Sequence, residues 1–211
     1  MGTASAIEAL AACAACLRPR ARLEKPRGGD LPRLWFFTDP ARIADPLAIA
    51  RRLPAGAGIV FRAFGAPEAV DQGRALAAIA ASRDLVLLAG ADADLALAIG
   101  AAGVHLPQRL ADQAQPLRAA HPGWRITAAA HDAAAIDRAA AAGAEALFVS
   151  PVFASASPSA GTPLGPDAFA RLVALSPVPV MALGGVTPTT APLLADTGAA
   201  GLAAVEAFLQ D

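Results

Sequence analysis

From Leu34 onward, eight short apolar runs alternate with Ala- and Leu-rich helical stretches. The runs are apolar throughout, not alternately, and no GxGxxG turn follows any of them. Runs covered on both faces and joined by helices pair in parallel through right-handed crossovers. These observations predict an α/β protein, a single (β/α)8 TIM barrel with an N-terminal helical extension. The rival, an open doubly wound sheet, is disfavoured by the eight clear units and the missing glycine turn.

The expected strands are LWFFTD (34–39), GIVFRA (58–63), LVLLA (85–89), GVHLP (103–107), RITAAA (125–130), ALFVSPVF (146–153), VPVMALGG (178–185) and GLAAV (201–205). Helices are expected near 44–53, 68–83, 92–100, 110–120, 132–142, 166–175 and 189–197. Asp132 stands where an N-cap belongs, Thr187-Pro188 opens the last of these stretches, and Gly100, Gly143 and Gly198 stand where helices stop. The division is 1–33, helix and linker, and 34–211, the barrel. The extension can cap the barrel bottom or pair two subunits into a homodimer.

Composition narrows the chemistry. Of 211 residues, 55% are hydrophobic and 17% charged, so a large core forms and disorder is excluded. The net charge of -1 offers no basic face for a nucleic acid. Alanine accounts for 59 residues, which makes helix propensity alone weak guidance. Lys25 is the only lysine, so Schiff-base chemistry or a lysine clamp within the barrel is excluded. No apolar run is long enough to cross a bilayer, and the N-terminal arginines follow the apolar stretch instead of preceding it. The expected location is the cytoplasm. Cys13 and Cys16 form a CxxC with no second pair to complete a zinc site, and read as small packing residues.

In this fold chemistry lies at the C-terminal ends of the strands. Gly184-Gly185, after the seventh strand, lets the backbone approach an anion, and with Val205 after the eighth it forms a candidate phosphate cup. His131 and His105 follow the fifth and fourth strands, where an imidazole can carry protons near neutrality. His121, beside Pro122-Gly123 at the other end, is expected to be only solvated. The long stretch SPVFASASPSAGTPLG reads as a lid whose Ser155, Ser157 and Thr162 hydroxyls can bond phosphate oxygens. Thr38, Arg62 and Gln108 complete the candidate substrate-binding set. Asp92 and Asp94 lie at a helix opening with diverging side chains, so no metal site is expected.

The segments LWFFTDP, DADLALAIGAAGVHLPQ, AAAHDAAAIDRAAAAGAEALFVSPVF, GTPLG, PVMALGG and GAAGLAAV, in order across 34–208, resemble the thiamine phosphate synthase / TenI-like superfamily. The resemblance implies a (β/α)8 barrel. It also implies one of two activities. Synthases join a pyrimidine pyrophosphate to a thiazole phosphate using magnesium, whereas some TenI-like relatives isomerise the thiazole phosphate by proton transfer.

The synthase pattern is broken at several points. The Arg-Glu-Lys trio after the second strand becomes Arg62, Ala63 and Phe64. The Asn-Asp pair after the third falls on Gly90 and Ala91, and the acidic pair after the fourth becomes Arg109 and Leu110. The lid lysine falls on Pro158. Leaving-group stabilisation needs such cations, and loss of one commonly costs about 10²–10³ in rate. The matching Leu106-Pro107, His131, Gly184 and Gly185 imply the TenI side, with His131 as proton carrier. The ligand class is a small phosphorylated heterocycle, and no cofactor is expected, magnesium included. The alternatives are a non-catalytic ligand- or partner-binding barrel, and a divergent synthase with its metal relocated to Asp92 and Asp39. Where the family has a serine beside the phosphate, this chain has Glu206. Two like charges about 5 Å apart repel by roughly 3 kcal/mol at an effective dielectric of 20. Glu206 must therefore point away, or Arg62 or Arg109 must compensate it.

Overall fold

The computed structural model describes residues 5–20, 30–155 and 161–209. Helix α1 (Ala6–Cys16) opens with a reciprocal cap: Ser5 Oγ accepts the Glu8 N–H at 3.4 Å, and the Glu8 carboxylate accepts the Ser5 N–H at 2.9 Å. Its buried stripe, Ile7, Leu10 and Ala14, packs against the barrel wall beside β1 and β8. It does not cap the barrel bottom. The segment just before β1 lies there instead, with Pro32 O accepting from Trp35 Nε1 at 2.7 Å and Asp30 O from Arg125 Nη2 at 3.4 Å. Arg33 closes the C-terminal end of α1 by donating to the carbonyls of Ala15 and Leu17.

Eight parallel strands close into a barrel in sequence order. They are β1 (Leu34–Phe37), β2 (Gly58–Phe61), β3 (Val86–Gly90), β4 (Gly103–Leu106), β5 (Arg125–Ala130), β6 (Ala146–Val149), β7 (Val180–Ala182) and β8 (Gly201–Ala204). The seam pairs Trp35 with Ala203. Around them run α2 (Pro46–Arg52), α3 (Ala69–Arg83), α4 (Ala93–Ile99), α5 (Ala114–Ala120), α6 (Ala133–Ala141) and α7 (Gly165–Leu175). Carboxylate caps start three of these helices: Asp45, Asp92 and Asp132 accept the N–H groups of Ala48, Leu95 and Ala135 at 3.0, 2.8 and 2.7 Å. None of the helices in the described residues is long and apolar enough to cross a membrane.

Two expected helices differ. Residues 189–197 yield only a 3₁₀ turn, Ala191–Leu194. Pro192 removes a donor at the second position, and Thr187 and Thr190 engage each other's backbone and hydroxyls, which competes with helix propagation. The stretch near 110–120 divides into a 3₁₀ segment (Gln108–Gln113) and α5. After β8 the described chain forms only the 3₁₀ turn Glu206–Leu209, and α1 packs against that turn and the one at Ala191–Leu194. The extension thus covers the sector where an eighth outer helix belongs.

The barrel interior is filled unevenly. Trp35, Phe37 and Phe148 meet edge to face, with centroids 4.9–5.4 Å apart, against small Ala146 and Ala203. A Cβ at Gly58 would lie 2.2 Å from the Trp35 ring, so β2 must begin with glycine. On the outside, His121 is stacked on Trp124 at 3.9 Å, a packed residue instead of a merely solvated one.

Candidate active site

A mouth cleft of about 340 Å³ lies between the ends of β7 and β8. Gly184, Gly185, Val205, Glu206, Ser155 and Arg42 line it. The paired glycines have φ of +90° and +65°, where other residues are strained. Their close approach is to the chain's own loop: a Cβ at Gly184 would come 2.8 Å from Pro151 Cα, and one at Gly185 would come 2.3 Å from Ala154 O. That loop base is pinned by Val152 N–H to Leu183 O (3.0 Å) and Phe153 N–H to Gly184 O (2.9 Å). Among the described residues the N–H groups of Gly184, Gly185 and Val205 find no acceptor. Such unbonded amides beside a cleft can receive an anion.

His131 is exposed at the end of β5. Its Nδ1 lies 2.6 Å from Ser150 O and 3.4 Å from Ser150 Oγ. A carbonyl oxygen only accepts, so Nδ1 carries the proton and neutral His131 presents a lone pair at Nε2. Gln108 Oε1 accepts the His131 N–H at 3.0 Å, fixing the start of the β5–α6 turn. His131 does not line the cleft. The two are linked through Ser150 and Pro151, the latter packed on Gly184.

His105 occupies a different place from the one expected. It is 6% exposed, inside the barrel between Phe37 and Phe148, with centroids 5.1 Å from both, and Nδ1 is 3.0 Å from Thr127 Oγ1. Burial, reinforced by the Arg62 charge, pushes its pKa down to about 3, so it stays neutral and carries no protons near pH 7. It is a polar member of the core.

Thr38 and Arg62 are engaged with each other. Thr38 Oγ1 accepts the Arg62 N–H at 2.9 Å, and Arg62 Nε donates to Thr38 O at 2.7 Å. The Thr38 hydroxyl, 2% exposed at residue level, ties β1 to β2 and does not line the main cleft. Arg62 Nη2 reaches Asp39 Oδ2 at 3.2 Å, and the guanidinium lies 5.6 Å from the Phe37 centroid and 5.4 Å from that of Phe64. Burial draws its pKa to about 10, which leaves it cationic at neutrality. It lines a small side pocket of about 100 Å³ with Thr38 and Asp39 instead of the main cleft. Thr162 is exposed, away from the cleft lining, and Ser157 lies outside the described residues.

Sequence reading overlooked Arg42. Its Nη2 donates to Asp39 Oδ2 at 2.8 Å and its Nη1 to Glu206 Oε2 at 3.3 Å. Glu206 is thus compensated from the end of β1, not by Arg62 or Arg109. The i,i+3 spacing of Asp39 and Arg42 hinted at the first pair. Nothing local hinted at the second, 164 residues away in sequence. Burial would raise the Asp39 carboxyl, but the Arg42 hydrogen bond and the Arg42 and Arg62 charges outweigh it and hold Asp39 below its ordinary range.

The model of the family described as thiamine monophosphate synthase matches residues 34–208. The chain belongs to that family. A thiamine-phosphate synthase of Chlorobium limicola is 30% identical over 184 residues, covering 83% of this chain and 85% of the relative. A bifunctional thiamine biosynthesis protein of Symbiobacterium thermophilum is 39% identical over 117 residues, 55% of this chain but only 24% of that longer protein. The solved thiamine phosphate pyrophosphorylase from Pyrococcus furiosus superposes with a TM-score of 0.73 at 23% identity, covering 83% of this chain and 86% of that one, a likeness of fold.

Magnesium, implied by the resemblance for synthesis, does not fit the residues of this family member. Asp92 Oδ1 caps α4, Asp39 Oδ2 accepts from two guanidiniums, and among the described residues no three His, Cys, Asp or Glu gather.

Proposed function

We propose that this member of the thiamine phosphate synthase family acts in the cytoplasm as a TenI-like isomerase on a thiazole phosphate or similar phosphorylated heterocycle. The observation carrying this reading is the 2.6 Å contact between His131 Nδ1 and Ser150 O. With Nδ1–H held by Ser150 O, Nε2 is left as a base at the strand-end face. Nε2 takes a proton from a ring carbon, and the resulting imidazolium returns one to another ring position, so the substrate is isomerised with no net change in atoms. The Ser150 carbonyl steadies the ring in both protonation states, because Nδ1 donates in each. The phosphate sits at the unbonded amides of Gly184, Gly185 and Val205. No metal enters these steps.

The test follows deuterium wash-in and tautomer conversion of thiazole phosphate by NMR in D₂O. Wild-type enzyme should exchange and convert; His131→Asn should lower the rate by about 10²-fold or more. Equal rates for both proteins would discard the reading.

A second reading, a divergent synthase, is favoured by the names of the relatives. It requires thiamine phosphate to form from pyrimidine pyrophosphate and thiazole phosphate at high enzyme concentration with magnesium. A melting temperature unmoved by thiazole phosphate, with neither reaction observed, would leave a non-catalytic barrel.

A further inference from the structure

Arg42 is held unequally on its two sides. Nη2 is anchored on Asp39 at 2.8 Å, in a pair whose side chains are 15% and 13% exposed. Nη1 is held by Glu206 at 3.3 Å, and that carboxylate is 47% exposed. Nε is enclosed and has no acceptor among the described residues. One prong of the fork is therefore fixed by the fold, while the other rests on a side chain free to swing into solvent. Both Arg42 and Glu206 line the cleft that also receives Gly184, Gly185 and Val205.

A phosphate monoester entering this cleft meets unbonded amides on one side and a carboxylate on the other. Left in place, Glu206 would repel it and keep Arg42 neutralised. Moved aside, Glu206 exposes Nη1 to a phosphate oxygen, a charge-assisted bond from a guanidinium already oriented by Asp39. Among the described residues no other arginine lines this cleft, and Arg62 is directed to Asp39 and Thr38.

We infer that Arg42 is the side-chain cation of the phosphate subsite and that Glu206 is its resident counter-ion, which the ligand's phosphate displaces. The inference rests on the phosphate subsite of the proposed function but not on proton transfer. Glu206 thereby sets selectivity: it weakens phosphate binding, and it gives neutral analogues of the same ring no comparable penalty.

Titration calorimetry with inorganic phosphate and with ethyl phosphate tests this on wild type, Glu206→Gln, Arg42→Gln and the double variant. Glu206→Gln should tighten phosphate about tenfold. Arg42→Gln should cost only a few-fold in the wild-type background but about thirtyfold or more in Glu206→Gln, where Arg42 is unmasked. Equal losses in both backgrounds, or no gain from Glu206→Gln, overturn the inference. Glu206 is half-exposed, so its variant folds, and that arm decides even if Arg42→Gln does not fold. Arg42→Lys supplies a charged second variant, expected to keep part of the affinity gained with Glu206→Gln. Failure of the isomerase reading is separately visible: it removes turnover and leaves this binding pattern intact.

Discussion

The Nδ1–H of His131 is donated to the main-chain oxygen of Ser150 across 2.6 Å, joining the end of β5 to the end of β6. An asparagine amide can keep that bond while lacking any group at the position of Nε2. His131→Asn should therefore lower kcat with little change in KM or melting temperature. A KM effect with unchanged kcat, read from steady-state kinetics, would assign His131 to binding instead.

The loop base from Pro151 to Ala154 packs where Cβ atoms at Gly184 and Gly185 would lie. Gly185→Ala must displace Ala154 O and adopt a positive φ, at a cost on the order of 1–3 kcal/mol. Chemical denaturation should show that loss, and phosphate affinity should fall with it because the amide is re-aimed. Wild-type stability in the variant would mean that the loop moves freely.

His105 and Thr127 form one buried polar pair among aromatic rings. The folded pKa of His105, about 3, lies below its ordinary 6.5, so the unfolded chain binds a proton that the folded one refuses. The stability contributed by neutral burial is complete above pH 6.5 and declines as pH falls toward 3. Replacing both partners, His105→Phe with Thr127→Val, should be close to neutral at pH 8 and stabilising relative to wild type at pH 5. Denaturant midpoints at the two pH values measure this; a constant difference would contradict it.

Asp39 accepts from Arg42 and Arg62 at the same oxygen. Its folded pKa is depressed, so its contribution is present above the unfolded value of 3.8 and is lost as pH falls through the folded one. Asp39→Asn should destabilise by about 1–3 kcal/mol at pH 7, because Arg62 loses its carboxylate partner and Arg42 keeps only the half-exposed Glu206. The gap between wild type and variant should hold from pH 5 to 8 and narrow only as pH falls below the unfolded value of 3.8. Urea melts across that range provide the comparison.

Much of the barrel was legible because strands buried on both faces write themselves as apolar runs. The strand RITAAA has the observed limits of β5, and the carboxylate caps before α4 and α6 stand in the sequence as Asp92 and Asp132. The helix expected over 189–197 did not form, because prolines and threonine hydroxyls prevail over an apolar, Ala-containing composition. In the site, strand-end position gave His131 its exposed place after β5 and the glycines theirs along the cleft. It could not tell that His105, a strand residue, faces inward, since inward and outward alternate at every residue and both sides are apolar.

The chain's own letters determined the eight-unit alternation, the lack of a barrel lysine and the residues available at each strand end. These are local properties, set by periodicity and composition. The tertiary structure alone decided that Arg42 bridges Asp39 and Glu206, that Thr38 and Arg62 engage each other, and that α1 covers the wall between β8 and β1. Apart from the local Asp39–Arg42 pair, these contacts join residues far apart in sequence, and barrel closure brings them together, where charge and geometry fix the partners.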